Sequence, residues 1–432
     1  MKNKKVLTLL FIANGISGFA QGISMLSIPW YFTQQNQSSL FIAFFGAVTL
    51  GSLFWGLYAG ALVDGFNRKD VFLGTNFIEG LIILSVASLG FKEGVLPGAL
   101  IMLVFTITFF GYHIHYPNLY AFAQEITDPK DYTKVTSLIE IVGQSTSIGA
   151  AALGALLLEG MDTVQTIPFI NVDIPIHIAK WEIHEIFLMD GLSYIISFIM
   201  ILFISHKPSR DITHLEEGAL KEKLKSGYDY LLSNKLVLMF GICSYSIFIV
   251  TLVEIFSLRP LYISHHLQEG GDILGLSELL YASGSLVSGV IINTLLSRMP
   301  IPRSIVILTF LTAVAFFVCF FSQNVIVFLA ISMVTGFTNA GSRIFRVSYL
   351  FSLIPNELTG RVNSMFNVIS TIFRMVFIIA FIFPFFSKGS NVVYAYLILG
   401  LFTLVAGIVL IFLYKRILRL TERISEVETL SH

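Results

Sequence analysis

The sequence predicts an all-α membrane protein with twelve transmembrane helices in two pseudo-symmetric six-helix bundles. Three observations carry this expectation: a shortage of charge, twelve long apolar runs, and a charged connector that divides the runs six and six. Of 432 residues, 55% are hydrophobic and 12% charged, and the mean hydropathy is +0.80. A soluble domain carries about 25% charged residues. No polar shell drawn from this composition could cover so much apolar side chain, so hydrocarbon must be the solvent for most of it. The formal net charge of zero excludes the bulk basic field that attracts nucleic acid.

A spanning helix needs about 20 apolar residues. The first-half runs are 6–31, 39–63, 71–91, 96–123, 135–158 and 186–205, and the second-half runs are 236–264, 272–297, 304–322, 325–350, 364–386 and 391–414. The first run follows Met1-Lys2-Asn3-Lys4-Lys5. It is too long for the apolar core of a signal peptide and lacks a small-x-small cleavage site, so it reads as a retained membrane helix. The expected organisation is a bundle over 1–205, a cytoplasmic connector over 206–235, a second bundle over 236–414 and a cytoplasmic tail over 415–432. Residues 159–185 alternate apolar and polar side chains around Pro168 and Pro175, as a short extended or hairpin element or a plain linker would. Asp190 falls near the expected start of the sixth helix, where acids act as caps.

Lysine and arginine orient the spans. With the N-terminus inside, cytoplasmic segments hold twenty of the 27 basic residues, and the outside loops hold only Lys92, Lys180 and Lys388. Cytoplasmic segments of membrane proteins carry this excess. Both termini are therefore expected in the cytoplasm. A short repeat supports two equivalent halves. Pro129-Lys-Asp131-Tyr-Thr133 follows the fourth run and Pro355-Asn-Glu357-Leu-Thr359 follows the tenth. Equivalent loops at equivalent places suggest parallel repeats about an axis along the membrane normal.

Between the second and third runs lies Gly60-Ala-Leu-Val-Asp64-Gly-Phe-Asn-Arg68-Lys69. Gly60 lets helices approach closely. Asp64 at a helix end can accept charge-assisted bonds from Arg68 or a neighbouring helix terminus. This pattern resembles the loop signature of the major facilitator superfamily, in which it serves as a gating latch. That resemblance implies Gly60, Asp64, Arg68 and Lys69 as the gating motif, with helices one, four, seven and ten lining a central cavity. A narrower resemblance rests on His115-Tyr-Pro117-Asn-Leu-Tyr-Ala121, on Leu224-Lys-Ser-Gly227-Tyr-Asp-Tyr-Leu231 and on Pro355-Asn-Glu357-Leu-Thr-Gly360-Arg361-Val362. These look like the macrolide efflux and enterobactin-type siderophore exporter branch. The resemblance implies a monomeric multi-pass protein of the bacterial inner membrane that exports a drug-like or siderophore-like amphiphile by proton antiport and alternating access. The sequence departs from that branch at Thr108, where relatives carry arginine, and in lacking a proline among the glycines of the fifth helix.

Charges inside the membrane each cost at least a few kcal/mol at its centre, so they are expected to face the bundle interior or a watery cavity. They are Glu79, Glu140, Asp190, Glu254, Arg259, Glu278, Arg343, Arg346 and Arg374. At about 1.5 Å per residue, Glu254, Arg259 and Glu278 fall in the outer half, Arg343 and Arg346 in the inner half, and Arg374 near the middle. Glu254 is the expected proton carrier, its alternative being a structural pair with an arginine. Arg343, with Arg374, is expected to meet an anionic part of the substrate, because the guanidinium fork suits carboxylates; pairing with Glu254, Glu278 or Glu79 is the alternative. His113 and His115 lie about 200° apart on a helix and cannot chelate one ion together; either could titrate in the cavity. Gln21 and Asn339 complete the expected lining.

No cofactor or metal is expected. Cys243 and Cys319 fall inside apolar runs and read as small buried side chains. No G-x-x-x-x-G-K-[ST] run exists, which excludes a P-loop ATPase site in this chain, and no nucleophile–base constellation suggests an enzyme. The expected partners are a small organic substrate, protons and the lipid bilayer. Two other readings stay open: an uptake carrier for a nutrient or lysophospholipid, and a non-transporting membrane sensor or scaffold.

Overall fold

The computed structural model describes residues 4–127, 132–167, 172–204, 219–296, 299–354 and 356–430. Among them, twelve helices are long and apolar enough to cross a membrane. The first six are α1 (Lys4–Gln34), α2 (Ser38–Gly65), α3 (Arg68–Glu93), α4 (Gly98–Glu125), α5 (Tyr132–Glu159) and α6 (Ile183–Leu202). A hairpin of β1 (Met161–Ile167) and β2 (Val172–Ile178) stands between α5 and α6, and α7 (Ala219–Ser233) precedes the second set. That set is the broken span α8 (Lys235–Leu267), then α9 (Gly271–Leu296), α10 (Ile301–Phe321), α11 (Val325–Leu353), α12 (Asn356–Phe381) and α13 (Val392–Leu430).

Every expected span is a helix. Several begin earlier than their apolar runs because polar caps extend them. Asn67 accepts the Lys69 amide at 3.0 Å and starts α3 ahead of its run; Asn324 accepts the amides of Ile326 and Val327 and starts α11 at Val325, where its run begins. At α6 the Glu182 amide donates to Glu185 Oε2 at 2.7 Å, half of a capping box. This corrects the reading of Asp190: it sits two turns inside α6 with 0% exposure, and the cap belongs to Glu182.

The hairpin is antiparallel, from Met161 opposite Ile178 to Ile167 opposite Val172. It gives the 159–185 segment the extended form its alternation suggested. Gly160 opens it with φ +75°, a backbone value that side chains disfavour. The first part of the connector lies outside the described residues. Its second part, α7, packs on α12, and Tyr230 donates to the Leu353 carbonyl at 3.2 Å.

The chain forms two compact units. Unit 1 comprises Met1–Phe44, Phe54–Leu215 and Glu269–Leu279. One of its cores joins Leu7, Leu10, Phe72, Leu119, Phe122 and Ile201. Spans α3 and α6 meet through glycine. A Cβ on Gly80 would stand 3.0 Å from the Tyr194 Cβ, and one on Gly191 would stand 3.0 Å from the Leu84 backbone nitrogen. Such small-residue contacts are how helices pack closely in lipid. The first turns of α9 also belong here: the Gly271 amide donates to Glu159 Oε1 at 2.6 Å.

Unit 2 comprises Phe45–Leu53, Glu216–Gln268 and Leu280–His432. Within it α9 and α11 pack with Gly284 against the Met333 carbonyl and Gly336 against the Tyr281 carbonyl. Thr312 Oγ1 donates to Thr338 Oγ1 at 2.8 Å, tying α10 to α11. The α2 segment in this unit sets Phe45 beside Phe256, ring centroids 5.2 Å apart.

Candidate functional site

In unit 1 the glycine contacts bring two acids together. Glu79 precedes Gly80 on α3 and Asp190 precedes Gly191 on α6. Glu79 is 8% exposed, and Asp190 lies within its electrostatic reach. A Cβ on Gly111 of α4 would meet the Glu79 carboxylate, so glycine there leaves the room the acid occupies. Tyr194, one turn after Asp190, brings its hydroxyl near Glu79, and Gln21 Nε2 of α1 donates to that hydroxyl at 2.8 Å. Tyr112 lies within reach of both acids. Ser24 Oγ of α1 lies beside the Asp190 carboxyl, and neither side chain has another hydrogen-bond partner among the described residues. No lysine, arginine or histidine among those residues compensates either acid.

His115 and His113 sit near this cluster without joining it. His115 Nε2 pairs with Asn14 Oδ1 at 2.7 Å, and its ring meets Phe72 edge-on. His113 Nδ1 lies 3.1 Å from the Phe109 carbonyl of its own helix.

Unit 2 holds a second network, made by an irregularity of α8. Residues Glu254–Leu258 and Tyr262–Leu267 are π-helical, with Pro260 between them. Proline lacks the amide that an α-helix needs and collides with the carbonyl four residues back; the wider turn accommodates both. On a regular helix, residues five apart point about 140° from one another. The π-turn closes this gap. The Arg259 amide bonds the Glu254 carbonyl, and the side chains pair bidentately, Nε–Oε1 at 2.9 Å and Nη2–Oε2 at 2.6 Å. The Tyr396 hydroxyl of α13 adds a 3.1 Å bond to Oε1. The Tyr281 ring lies 5.4 Å from the Arg259 guanidinium carbon, and its hydroxyl accepts Asn339 Nδ2 at 2.7 Å. Glu254 is therefore held as a neutral pair with Arg259.

Two other arginines of unit 2 lack such a partner. Arg346 is 3% exposed; it lies over Tyr245 at 3.8 Å and donates to the Ser244 carbonyl at 3.1 Å. Arg374 is 8% exposed and donates to Thr371 Oγ1 at 2.7 Å. Both guanidinium carbons lie near the Phe248 ring, at 5.9 and 5.7 Å. The Nε of each makes no hydrogen bond among the described residues. Two buried cations around one ring, with no carboxylate paired to either among the described residues, form a locally positive site.

The sequence-predicted residues are thus dispersed. Gln21 joins the acid cluster of unit 1, Asn339 the surroundings of Arg259, and Arg374 the arginine pair. Arg343 is exposed on α11, and Glu278 is half-buried on α9. The side chain of Asp64 lies outside the described residues, as does the environment of Gly60. Arg68 Nε stands 3.5 Å from Glu125 Oε2. Lys69 Nζ donates to the Leu202 and Ile204 carbonyls at 3.1 and 2.7 Å, capping α6. Sequence reasoning missed Asp190 and Tyr194 as site residues and ranked Arg343 above Arg346. The signal was present in the acid–glycine pairs of α3 and α6 and in the four-residue step from Asp190 to Tyr194, which places both on one helical face.

Twelve spans with charged side chains buried among them define a multi-pass membrane protein. The chain belongs to the Major Facilitator Superfamily, whose model matches residues 10–378. No curated protein sequence matches it significantly. Similar solved structures include a D-xylose-proton symporter (14% identity, 95% of this chain and 97% of that one, TM-score 0.70). A bacterial homologue of the iron transporter ferroportin in an inward-facing state is also similar (15%, 96% and 99%, TM-score 0.69), as is the nucleoside transporter NupG (13%, 95% and 99%, TM-score 0.68). At these identities the likeness is one of fold.

Proposed function

We propose that this chain is a secondary carrier of the bacterial inner membrane that moves a small organic solute bearing an anionic group, by alternating access and coupled to protons. The observation that carries the reading is the Arg346–Arg374 pair, two buried guanidiniums around Phe248 with no carboxylate partner among the described residues. Uncompensated charge inside a membrane protein is costly and marks solute or ion pathways. A carboxylate or phosphate entering this site would meet free Nε donors on both sides, and Phe248 and Tyr245 would cover the apolar part of the solute. Arg343, within electrostatic reach of Arg346, would add attraction.

Uptake is the favoured direction. A structure of the same fold is that of a D-xylose-proton symporter, and symport down an inward proton gradient brings solute in. Another is that of a nucleoside transporter. Export of a drug-like or siderophore-like amphiphile is the second reading, supported by the motifs shared with the exporter branch. The test is a thermal-shift panel on purified protein: citrate, glucose 6-phosphate, a nucleoside monophosphate, an acidic dipeptide, lysophosphatidylglycerol and a catecholate siderophore, with uncharged glucose and uridine as controls. A bound ligand raises the unfolding temperature. An anion is expected to stabilise wild type and not Arg346→Ala or Arg374→Ala. Stabilisation of both variants equal to that of wild type would remove the arginines from the site.

A further inference from the structure

We propose that Glu79 and Asp190 form a proton-binding site inside unit 1, separate from Glu254 and from the arginine pair, with Tyr194 and Gln21 beside it. Its part in moving solute rests on the carrier reading above; its occupancy by a proton does not.

Charge balance comes first. Both carboxyls are buried, at 8% and 0% exposure. The groups facing them come from every helix packed there: Tyr194 from α6, Tyr112 from α4 with Tyr116 stacked on it, and Gln21 and Ser24 from α1. None is cationic at neutral pH. Of the nearby bases, His115 is occupied by Asn14. Two ionised carboxylates in contact with protein of this polarity repel each other and lack a counter-ion, so the pair must take up a positive charge.

The chemistry of the surrounding groups selects the proton. The Tyr194 hydroxyl receives the Gln21 amide and faces Glu79, so what it has to offer a carboxylate is its O–H rather than a lone pair for a metal cation. Glu79 also forms part of the wall of an apolar groove of about 470 Å³ between α2, α3 and α4, with Trp55, Ile78, Phe110 and Ile114. Hard cations need six or more oxygens, from protein or water, and these walls supply few. A proton needs one. The Asp190 oxygens, buried with only Ser24 Oγ beside them as a polar partner among the described residues, are suited to the exchange: a protonated Asp190 gains an O–H that an ionised one lacks. In loading, one carboxylate oxygen forms an O–H bond with a proton taken from water. In unloading the same bond breaks and the proton returns to water, with no change of redox state.

The test is infrared difference spectroscopy on full-length protein in lipid nanodiscs, titrating pH and reading the C=O stretch of protonated carboxyls. Wild type is expected to show a titrating carboxylic-acid band that loses intensity in Asp190→Asn and in Glu79→Gln. Tyr194→Phe, which keeps the ring and removes one donor, is expected to move the Glu79 band to higher frequency. Variants are compared only where they remain monodisperse, and Tyr194→Phe serves if the acid variants do not fold. Bands identical in wild type and all folded variants would overturn the proposal. Loss of the wild-type band when sodium replaces choline at fixed pH would do the same, by assigning the site to a metal cation. If the bands behave as expected while no solute moves in reconstituted vesicles, the proton site stands and the carrier reading fails.

Discussion

At the scale of single residues, the decisive contrast is between charges that are paired and charges that are not. Glu254 accepts two bonds from Arg259 and one from Tyr396. Removing one member of such a buried pair leaves a bare charge and costs about 3–5 kcal/mol, whereas replacing both with apolar groups is often neutral. Glu254→Ala is therefore expected to lower the unfolding temperature sharply, and the double variant Glu254→Leu with Arg259→Met to recover most of the loss. Thermal unfolding of detergent-solubilised protein followed by tryptophan fluorescence reads both. Arg346 and Arg374 differ: their partners are neutral oxygens and aromatic faces. This distinction was only partly legible in the sequence. The list of intramembrane charges can be read from hydropathy, but which acid meets which base depends on helix faces. The Glu254–Arg259 pair depends on a π-turn that no regular periodicity predicts.

At the scale of elements, the helices were legible because hydrocarbon demands long uninterrupted apolar runs. Their ends were less so, since caps such as Asn67 and Glu182 lie beyond the apolar residues. The offset at α6 is what made Asp190 look like a terminal residue. The sequence motif around Arg68 and Lys69 has a concrete structural use here: Lys69 satisfies two carbonyls that α6 leaves open at its C-terminus. Lys69→Ala should weaken that end by about 1 kcal/mol. Hydrogen exchange should then speed up in the last turn of α6 and not in α3. The α3–α6 contact makes a stricter demand. Gly191→Val places two methyl groups against the Leu84 backbone. It should separate the helices, reduce folded yield and disturb Glu79 and Asp190 together, whereas valine at Gly74, which has open space around its Cβ position, should be tolerated. Size-exclusion profiles of the two variants check this.

At the scale of the whole molecule, composition alone supplied the solvent, and the six-plus-six division supplied the architecture of the family. The asymmetry of lysine and arginine predicts that both ends of the chain face the cytoplasm. Cysteines introduced at residues 5 and 420 should resist a membrane-impermeant maleimide in intact cells and react after the membrane is opened, while one at Lys180 should react at once. Among the described residues the two units carry opposite uncompensated buried charge, acids in unit 1 and arginines in unit 2. This suits a carrier that takes a proton and an anion in one cycle, and the sequence concealed it because its net charge is zero. The direct measurement is solute flux in proteoliposomes containing the purified chain, using the anion that the thermal-shift panel selects and an imposed pH gradient. The account predicts accumulation that follows the gradient, collapses with a protonophore and is absent in the Arg346→Ala, Arg374→Ala double variant. Flux indifferent to the gradient, or undiminished in that variant, would contradict it.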